Sequence, residues 1–449
     1  MPGSAMSLRP QLVRSAAVAA LGSFLFGFDT AVISGTTEAL RLRFGLDSGQ
    51  LGFTVASALL GTILGALAAG KPSERHGRRP VLRALAVLYI VSAVGCGLAP
   101  GWVSLLVFRF VGGLAIGGSS VVAPMYIAEI APAALRGRLV ALSQFNVVAG
   151  ILAAYVSNYA ITALVGGPET AAWRVMLGIA AVPAALFYVF VQRIPESPRW
   201  LVKQHRHGEA EEVLRRVGSE DAADLVGEIA ESLHEETVSA DEPFFQWKYR
   251  RPILLAVMVA TFNQLAGINA LIYYTADIFK MAGAERSSAL VQSVVIGFTN
   301  LLFTMAAMTV IDRFGRKRLL LVGAAGLALC LGLVAYAFQT GAGGALVLAS
   351  LIGYIAFFAF SQGSVIWVYL SEIFPNRVRA RGQALGSFTH WFWAALVSWT
   401  FPVIAEASGA FAFAFFAAMM VLQFVLVWAF LPETKGVSLE HIQRALGIE

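Results

Sequence analysis

Apolar stretches of about 20 residues, the length a helix needs to cross a bilayer, recur from one end of this chain to the other. Short connections between them collect most of the charge. Twelve spans are predicted, at about 14–35, 51–70, 80–99, 102–128, 139–164 and 173–193, then 253–276, 288–311, 318–339, 345–370, 383–404 and 410–431. Lipid satisfies no backbone N–H or C=O, so each span is predicted to be a helix. The expected fold class is an all-α polytopic membrane protein.

Composition agrees with this. With 58% hydrophobic and 13% charged residues, the chain is far from the roughly 25% charge of a soluble domain, so the bilayer acts as its solvent and partner. Basic residues lie in alternate connections, among them Lys71, Arg75, Arg78, Arg79, Arg136, Arg138, Arg313, Arg316, Lys317, Arg318, Arg377, Arg379 and Arg381. By the positive-inside rule both termini are predicted to be cytoplasmic. The net charge of +6 then reflects topology and not nucleic-acid binding. The absence of an N-x-S/T sequon fits a bacterial inner membrane. Cys96 and Cys330 fall inside spans, which excludes a disulfide framework.

The longest connection, between the sixth and seventh spans, is acidic from Glu209 to Glu242, and stretches such as HGEAEEVLRRV suggest short amphipathic helices covering the cytoplasmic mouth, with a plain solvated linker between the halves as the alternative. The expected divisions are a first six-helix half at 1–193, a linker at 194–251, a second half at 252–431 and a tail at 432–449.

Two motif pairs recur in the same order. ERHGRRP, from Glu74, returns as DRFGRKR, from Asp312, and MYIAEIAPAALRGR returns as VYLSEIFPNRVRAR, so that Glu129 matches Glu372. An offset near half the chain marks an internal duplication, as in transporters built from two similar halves. The recurring residues Glu74, Arg75, Arg78, Glu129 and Arg136, with Asp312, Arg313, Arg316, Glu372 and Arg379, are predicted to form a cytoplasmic charge network that locks the inner face and exchanges partners as the halves rock. Basic loops that merely set orientation are the plainer alternative.

The sharpest charges inside the spans are Asp29 in the first and Arg109 in the fourth. Each costs about 2.5–3.5 kcal/mol on insertion scales, so each needs a partner or a watery cavity. Together they form either a proton switch, broken when Asp29 is protonated, or a static pair that holds helices together. In the seventh span Asn263, Gln264, Asn269, Tyr273 and Tyr274 cluster around Gly267. With Gln144, Asn300 and Trp367 they supply donors, acceptors and a flat ring suited to an uncharged polyhydroxyl ligand. Interhelical hydrogen bonding is the alternative for any one of them. His390 is either a packing residue or a proton relay, and Trp391 and Trp393 either line the ligand or face lipid.

Taken together, FGFDTAVISG, ERHGRRP, PMYIAEIAP, PESPRWL, QLAGINALIYY, DRFGRK, SEIFPN and PETKG resemble the sugar porter family of the major facilitator superfamily over nearly the whole chain. The resemblance implies twelve helices in two pseudo-symmetric halves. It places Asp29 where proton-coupled members carry an acid, and Arg109 as its partner. It also implies sugar contacts from Gln144, Gln264, Asn269, Asn300 and Trp367, with Phe26, Tyr273 and Trp391 as walls. Asn263, Ser364, His390 and Ile151 depart from the family pattern, so the resemblance does not transfer a particular sugar; Asn263 and His390 are counted with the sugar-binding set. Ser364 replaces the proline of a bend that gates the cavity.

The expected function is proton-coupled monosaccharide symport, of a hexose or pentose, by alternating access. A uniporter with a structural Asp29 and a membrane sugar sensor are the alternatives. No enzyme chemistry, cofactor or metal is expected, and a monomer suffices as the working unit.

Overall fold

The computed structural model describes residues 10–449 apart from 168, 169, 220, 239–242, 376, 436, 438–445, 447 and 449; the side chains of 133, 134, 136–138, 235–238 and 310–313 also lie outside the description. The described chain is helical throughout. The first half comprises α1 (Pro10–Val32), α2 (Thr37–Phe44), α3 (Ser48–Ala68), α4 (Gly70–His76), α5 (Arg78–Leu98), α6 (Trp102–Ile130), α7 (Ala133–Val165), α8 (Ala172–Gly178) and α9 (Ala181–Val191). Three helices follow, α10 (Pro198–Lys203), α11 (His207–Val217) and α12 (Ala222–Val238). The rest comprises α13 (Arg250–Leu265), α14 (Ile268–Tyr273), α15 (Thr275–Met281), α16 (Arg286–Phe314), α17 (Arg316–Thr340), α18 (Gly344–Phe360), α19 (Gln362–Glu372), α20 (Arg379–Ala407) and α21 (Gly409–Phe430).

Among the described residues, 11 helical segments are long and apolar enough to span a membrane. The remaining predicted span lies in α20, which has 29 residues. Its length suffices, but Gln383, Thr389, His390 and three tryptophans lower its hydropathy. Of these, His390 and Trp391 belong to the site described below.

Three predicted spans are broken rather than continuous. The sixth divides between α8 and α9, where Pro183 lacks the N–H that would bond the carbonyl one turn back. The seventh divides at Gly267, whose φ of 84° is left-handed; a Cβ there would lie 2.6 Å from the Phe416 ring. The tenth divides at Ser361, with φ −117° and ψ −85°. The sequence departure at Ser364 therefore does not straighten this helix: the Ser364 hydroxyl donates to the Ala359 carbonyl at 2.9 Å and occupies an acceptor freed by the break.

Helix starts follow local chemistry. Asp47 and Gln50 form a reciprocal capping box at α3, and Ser197 caps α10 with Pro198 in its first turn. The amphipathic α11 buries Ala210, Val213, Leu214 and Val217. This group sits on the first half, where the Trp200 indole donates to the Glu74 carbonyl at 2.8 Å.

The buried apolar residues divide into separate bodies. One cluster runs from Leu12 to Val217 and stays within the first half and its following helices. Another runs from Phe244 to Ile448. The largest draws on both halves, bringing Leu40, Leu51 and Tyr155 into one core with Phe262, Ile278 and Phe401. The shared core occupies the end of the bundle away from the repeated motifs, called here the far end; the two private cores reach the motif end. Large exposed side chains such as Leu164, Val103, Trp428 and Phe430 cover the bundle flanks, as expected of a surface that meets lipid.

Candidate functional site

Between the halves, α1 carries Asp29 toward Arg109 on α6. The closest approach, carboxylate Oδ2 to guanidinium Nη2, is 3.8 Å. The Arg109 side chain is 1% exposed and that of Asp29 21%. Arg109 Nε donates to the Thr54 carbonyl at 3.3 Å, while its Nη2 has no hydrogen-bond partner. The pair is therefore in electrostatic contact without a hydrogen bond across it, and its acidic member is the more exposed of the two.

The amides of the seventh span meet across the break at Gly267. Asn269 Nδ2 donates to Gln264 Oε1 at 2.8 Å, and Gln264 Nε2 donates to Asn263 Oδ1 at 3.2 Å. Gln264 Nε2 also lies 3.0 Å and 3.1 Å from the two ring nitrogens of His390. That ring packs against Trp367 at 5.0 Å and Trp391 at 4.9 Å between centroids. Phe26 closes the group from the opposite half, with its ring 5.5 Å from Trp391. Trp391 is buried and so does not face lipid, whereas Trp367 is 39% exposed. Asn300 and Tyr273 are buried, Asn300 accepting from Thr304, and Gln144 is half-buried. Ile151 is buried in the shared core.

At the motif end the same device occurs twice. Arg78 makes two hydrogen bonds to Glu129, at 2.8 Å and 2.7 Å, and Arg316 bonds Glu372 at 2.9 Å. Glu196 accepts from the backbone N–H groups of Arg78 and Arg79 at the start of α5, and Glu433 from those of Arg316 and Lys317 at the start of α17. Both helices begin after a left-handed glycine, Gly77 at φ 100° and Gly315 at φ 88°. A Cβ on either would meet the carboxylate at 2.4 Å or 2.5 Å. Glu196 and Glu433 were missed as network members, although their PES and PET settings repeat in the sequence.

The predicted lock across the halves takes a different form here. Among the described side chains, Arg78–Glu129 and Arg316–Glu372 each join residues of one half. Glu74 pairs with Lys203 at 3.4 Å, both exposed, and Arg75 is exposed. Arg379 donates to the Phe374 carbonyl. Arg136, Asp312 and Arg313 have side chains outside the described residues.

The far end carries the pairs that cross the halves. Glu38 on α2 pairs with Lys280 at 2.6 Å and with Arg286, and Glu406 accepts from Ser48 and lies 3.6 Å from Arg41. Burial raises the Glu38 pKa, but Lys280 and Arg286 outweigh it and hold the carboxyl below its ordinary value. Asp277, beside them, is pushed up to about 6 by burial, with Glu38 adding to the rise and Thr37, Lys280 and Arg41 opposing it. Sequence reading passed over this cluster because none of its residues repeats between the halves or lies within a predicted motif.

Comparison with known proteins places this geometry. The family model described as Sugar (and other) transporter matches residues 15–446. The chain belongs to that family. Its members are transporters rather than enzymes, which agrees with the expectation from sequence. The D-xylose-proton symporter of Escherichia coli (strain K12) is 38% identical, over 95% of this chain and 94% of that protein. The Glucose transport protein of Synechocystis is 37% identical, over 95% of each. The partially occluded inward open conformation of the xylose transporter of Escherichia coli superposes with a TM-score of 0.86 at 37% identity, covering 95% of this chain and 99% of that one. The fold is accordingly that of the major facilitator superfamily, and this sugar transporter family member is a multi-pass membrane protein.

Proposed function

We propose that this protein is a proton-coupled monosaccharide symporter that carries a hexose or pentose by alternating access. The observation that carries the reading is the Asp29–Arg109 pair, a partly exposed acid held 3.8 Å from a buried guanidinium beside amides suited to sugar hydroxyls. Protonation of Asp29 removes the attraction and frees Arg109 from α1; loss of the proton restores it. A proton and a sugar that favour the same occluded state strengthen one another's binding. One proton entering with the sugar contributes about 2.3 kcal/mol per 100 mV of membrane potential. The named symporter relative supports this reading.

Gln144, Gln264, Asn269 and Asn300 bind the sugar hydroxyls in this scheme, and Trp367, Trp391, Phe26 and Tyr273 form apolar walls. The motif end is cytoplasmic, as are both termini, in an inner membrane, and a single chain is the working unit. Residues 1–193 and 252–431 rock about the site, with 194–251 and 432–449 on the cytoplasmic side. The shared core at the far end, the private cores at the motif end and the likeness to an inward open transporter support an inward-facing state. The repeated acid–arginine pairs are the parts of the cytoplasmic gate, parted in this state.

Solid-supported-membrane electrophysiology on proteoliposomes, with a panel of pentoses and hexoses, tests the proposal. The wild type is expected to give a sugar-dependent current, and Asp29→Asn to lose both the current and accumulation while keeping exchange. Radiolabelled uptake with no current and no pH dependence would identify a uniporter.

A further inference from the structure

Two glutamines outside the sugar-binding set stand at the end of a continuous hydrogen-bonded chain that reaches it. Gln362 is the first residue of α19, directly after the break at Ser361, and is 0% exposed; Gln423, on α21, is 1% exposed. Gln362 Nε2 donates to Gln423 Oε1 at 2.7 Å and lies 3.3 Å from the Met420 sulfur. The Gln362 backbone carbonyl accepts from Asn263 Nδ2 at 3.2 Å. From there the chain passes through Asn263 Oδ1 to Gln264, and from Gln264 to Asn269 and His390.

Two features show that this chain does more than fill space. Gln362 Oε1 and Gln423 Nε2 have no partners, and a buried, half-satisfied amide pair is less stable than an apolar pair of the same shape. Stability alone would favour two leucines here. Asn263 is 2% exposed, and both ends of its amide are engaged, one by Gln362 and the other by Gln264. Gln264, 1% exposed, is likewise held at both ends, its NH2 group by Asn263 and His390 and its carbonyl oxygen by Asn269, so its orientation is set by this chain of bonds.

We propose that Gln423, Gln362 and Asn263 are positioning residues that hold the Gln264 amide in register with the break in the tenth span. The consequence and the transport test rest on the sugar-transport reading, whereas the hydrogen-exchange test does not. When the break at Ser361 flexes, the Gln362 carbonyl moves with α19 and carries Asn263, and so the orientation of Gln264 follows the helix. Ser361 and Ser364 help make this possible, because their hydroxyls bond the Phe357 and Ala359 carbonyls and leave the break without a proline to stiffen it.

The experiment uses the full chain in proteoliposomes with radiolabelled D-xylose and D-glucose in equilibrium exchange. Gln423→Leu and Gln362→Leu are each expected to raise KM by about fivefold, with the maximal rate within about twofold, and the double variant to raise it no further than either alone, since residues in one network are non-additive. Gln423→Glu keeps an acceptor at the same place as a neutral acid and is expected to restore the wild-type KM. An unchanged KM in both leucine variants, or effects that multiply in the double, would overturn the proposal. Hydrogen–deuterium exchange reads the same coupling without sugar, in Gln423→Leu or, should that variant fold poorly, in Asn263→Ala. Residues 262–267 and 361–366 are expected to lose protection together; a loss confined to the mutated helix would overturn the relay. A wild type that moves neither sugar would count against the transport reading, while the exchange measurement would still decide the relay.

Discussion

The two ends of this bundle are fastened in opposite ways. At the motif end, Arg78–Glu129 and Arg316–Glu372 each tie helices of a single half, and the apolar cores beneath them are separate. At the far end Glu38, Arg41 and Ser48 reach across to Lys280, Arg286 and Glu406, above a core that both halves share. The contrast teaches that the charges most visible in the sequence are not those closing this conformation. In this conformation the duplicated pairs lie within one half each, whereas the unduplicated pairs join the two halves.

The hardest way to break the contrast is to wedge the far end open. A Cβ on Gly52 of α3 would lie 2.0 Å from the Trp399 carbonyl of α20, and neither helix backbone yields so far at the usual overpacking cost of about 1–3 kcal/mol. Gly52→Leu is expected to abolish net sugar uptake while leaving the melting temperature of the purified protein close to wild type. Normal uptake would show that far-end contact is dispensable.

The next test strikes the motif end. Glu129→Leu leaves Arg78, whose side chain is 7% exposed, as a buried charge without its carboxylate. Breaking such a pair costs about 3–5 kcal/mol, so thermal unfolding in detergent should shift downward clearly. A shift no larger than that of a surface variant would mean that the pair is not a fixed part of its half.

Acidity gives a finer comparison. Asp277 is pushed above its ordinary value of 3.8, to about 6, by the closed far end. A group with a raised pKa favours the state that raises it when protonated, and that advantage disappears as pH climbs through about 6. Glu38 shifts the opposite way, so its contribution is present above its ordinary pKa and is lost only in more acidic solution. Far-end closure is therefore expected to weaken from pH 5 to pH 7.5. Spin-label distances between positions 42 and 342 should lengthen over that range in the wild type and stay constant in Asp277→Asn. An identical lengthening in the variant would assign the effect to another group. The smallest effect belongs to the exposed Glu74–Lys203 pair, where Glu74→Gln should change stability by under about 1 kcal/mol, as read from the same melting curves.

Much of this architecture was legible in the chain because lipid imposes one rule on backbone polar groups, and long apolar runs follow from it. The breaks at Gly267 and Ser361 were less visible: a glycine or serine within an apolar run is common in membrane helices, and only the packing of Phe416 and the neighbouring carbonyls shows where the chain turns. At the site, Asp29 and Arg109 stood out as charges in an apolar setting, and the grouping of Gln264 and Asn269 follows from their place in one span, whereas the contact of His390 with Gln264 is seen only in the structure. Gln362 and Gln423 could not be paired from sequence, since they are distant in the chain and no repeat links them. Nor could the hidden position of Asn263, which depends on where α19 begins.

The private cores also bear on how such a chain is made. Every residue of the first-half cluster, from Leu12 to Val217, has been synthesised before the ribosome reaches the second half. That half can therefore bury its own apolar surface and settle in the bilayer while the remainder is still being translated. The common core has to wait for α13 and the helices after it, so assembly ends where the transporter opens and shuts: the last surface to form in biogenesis is the one that is remade in each cycle.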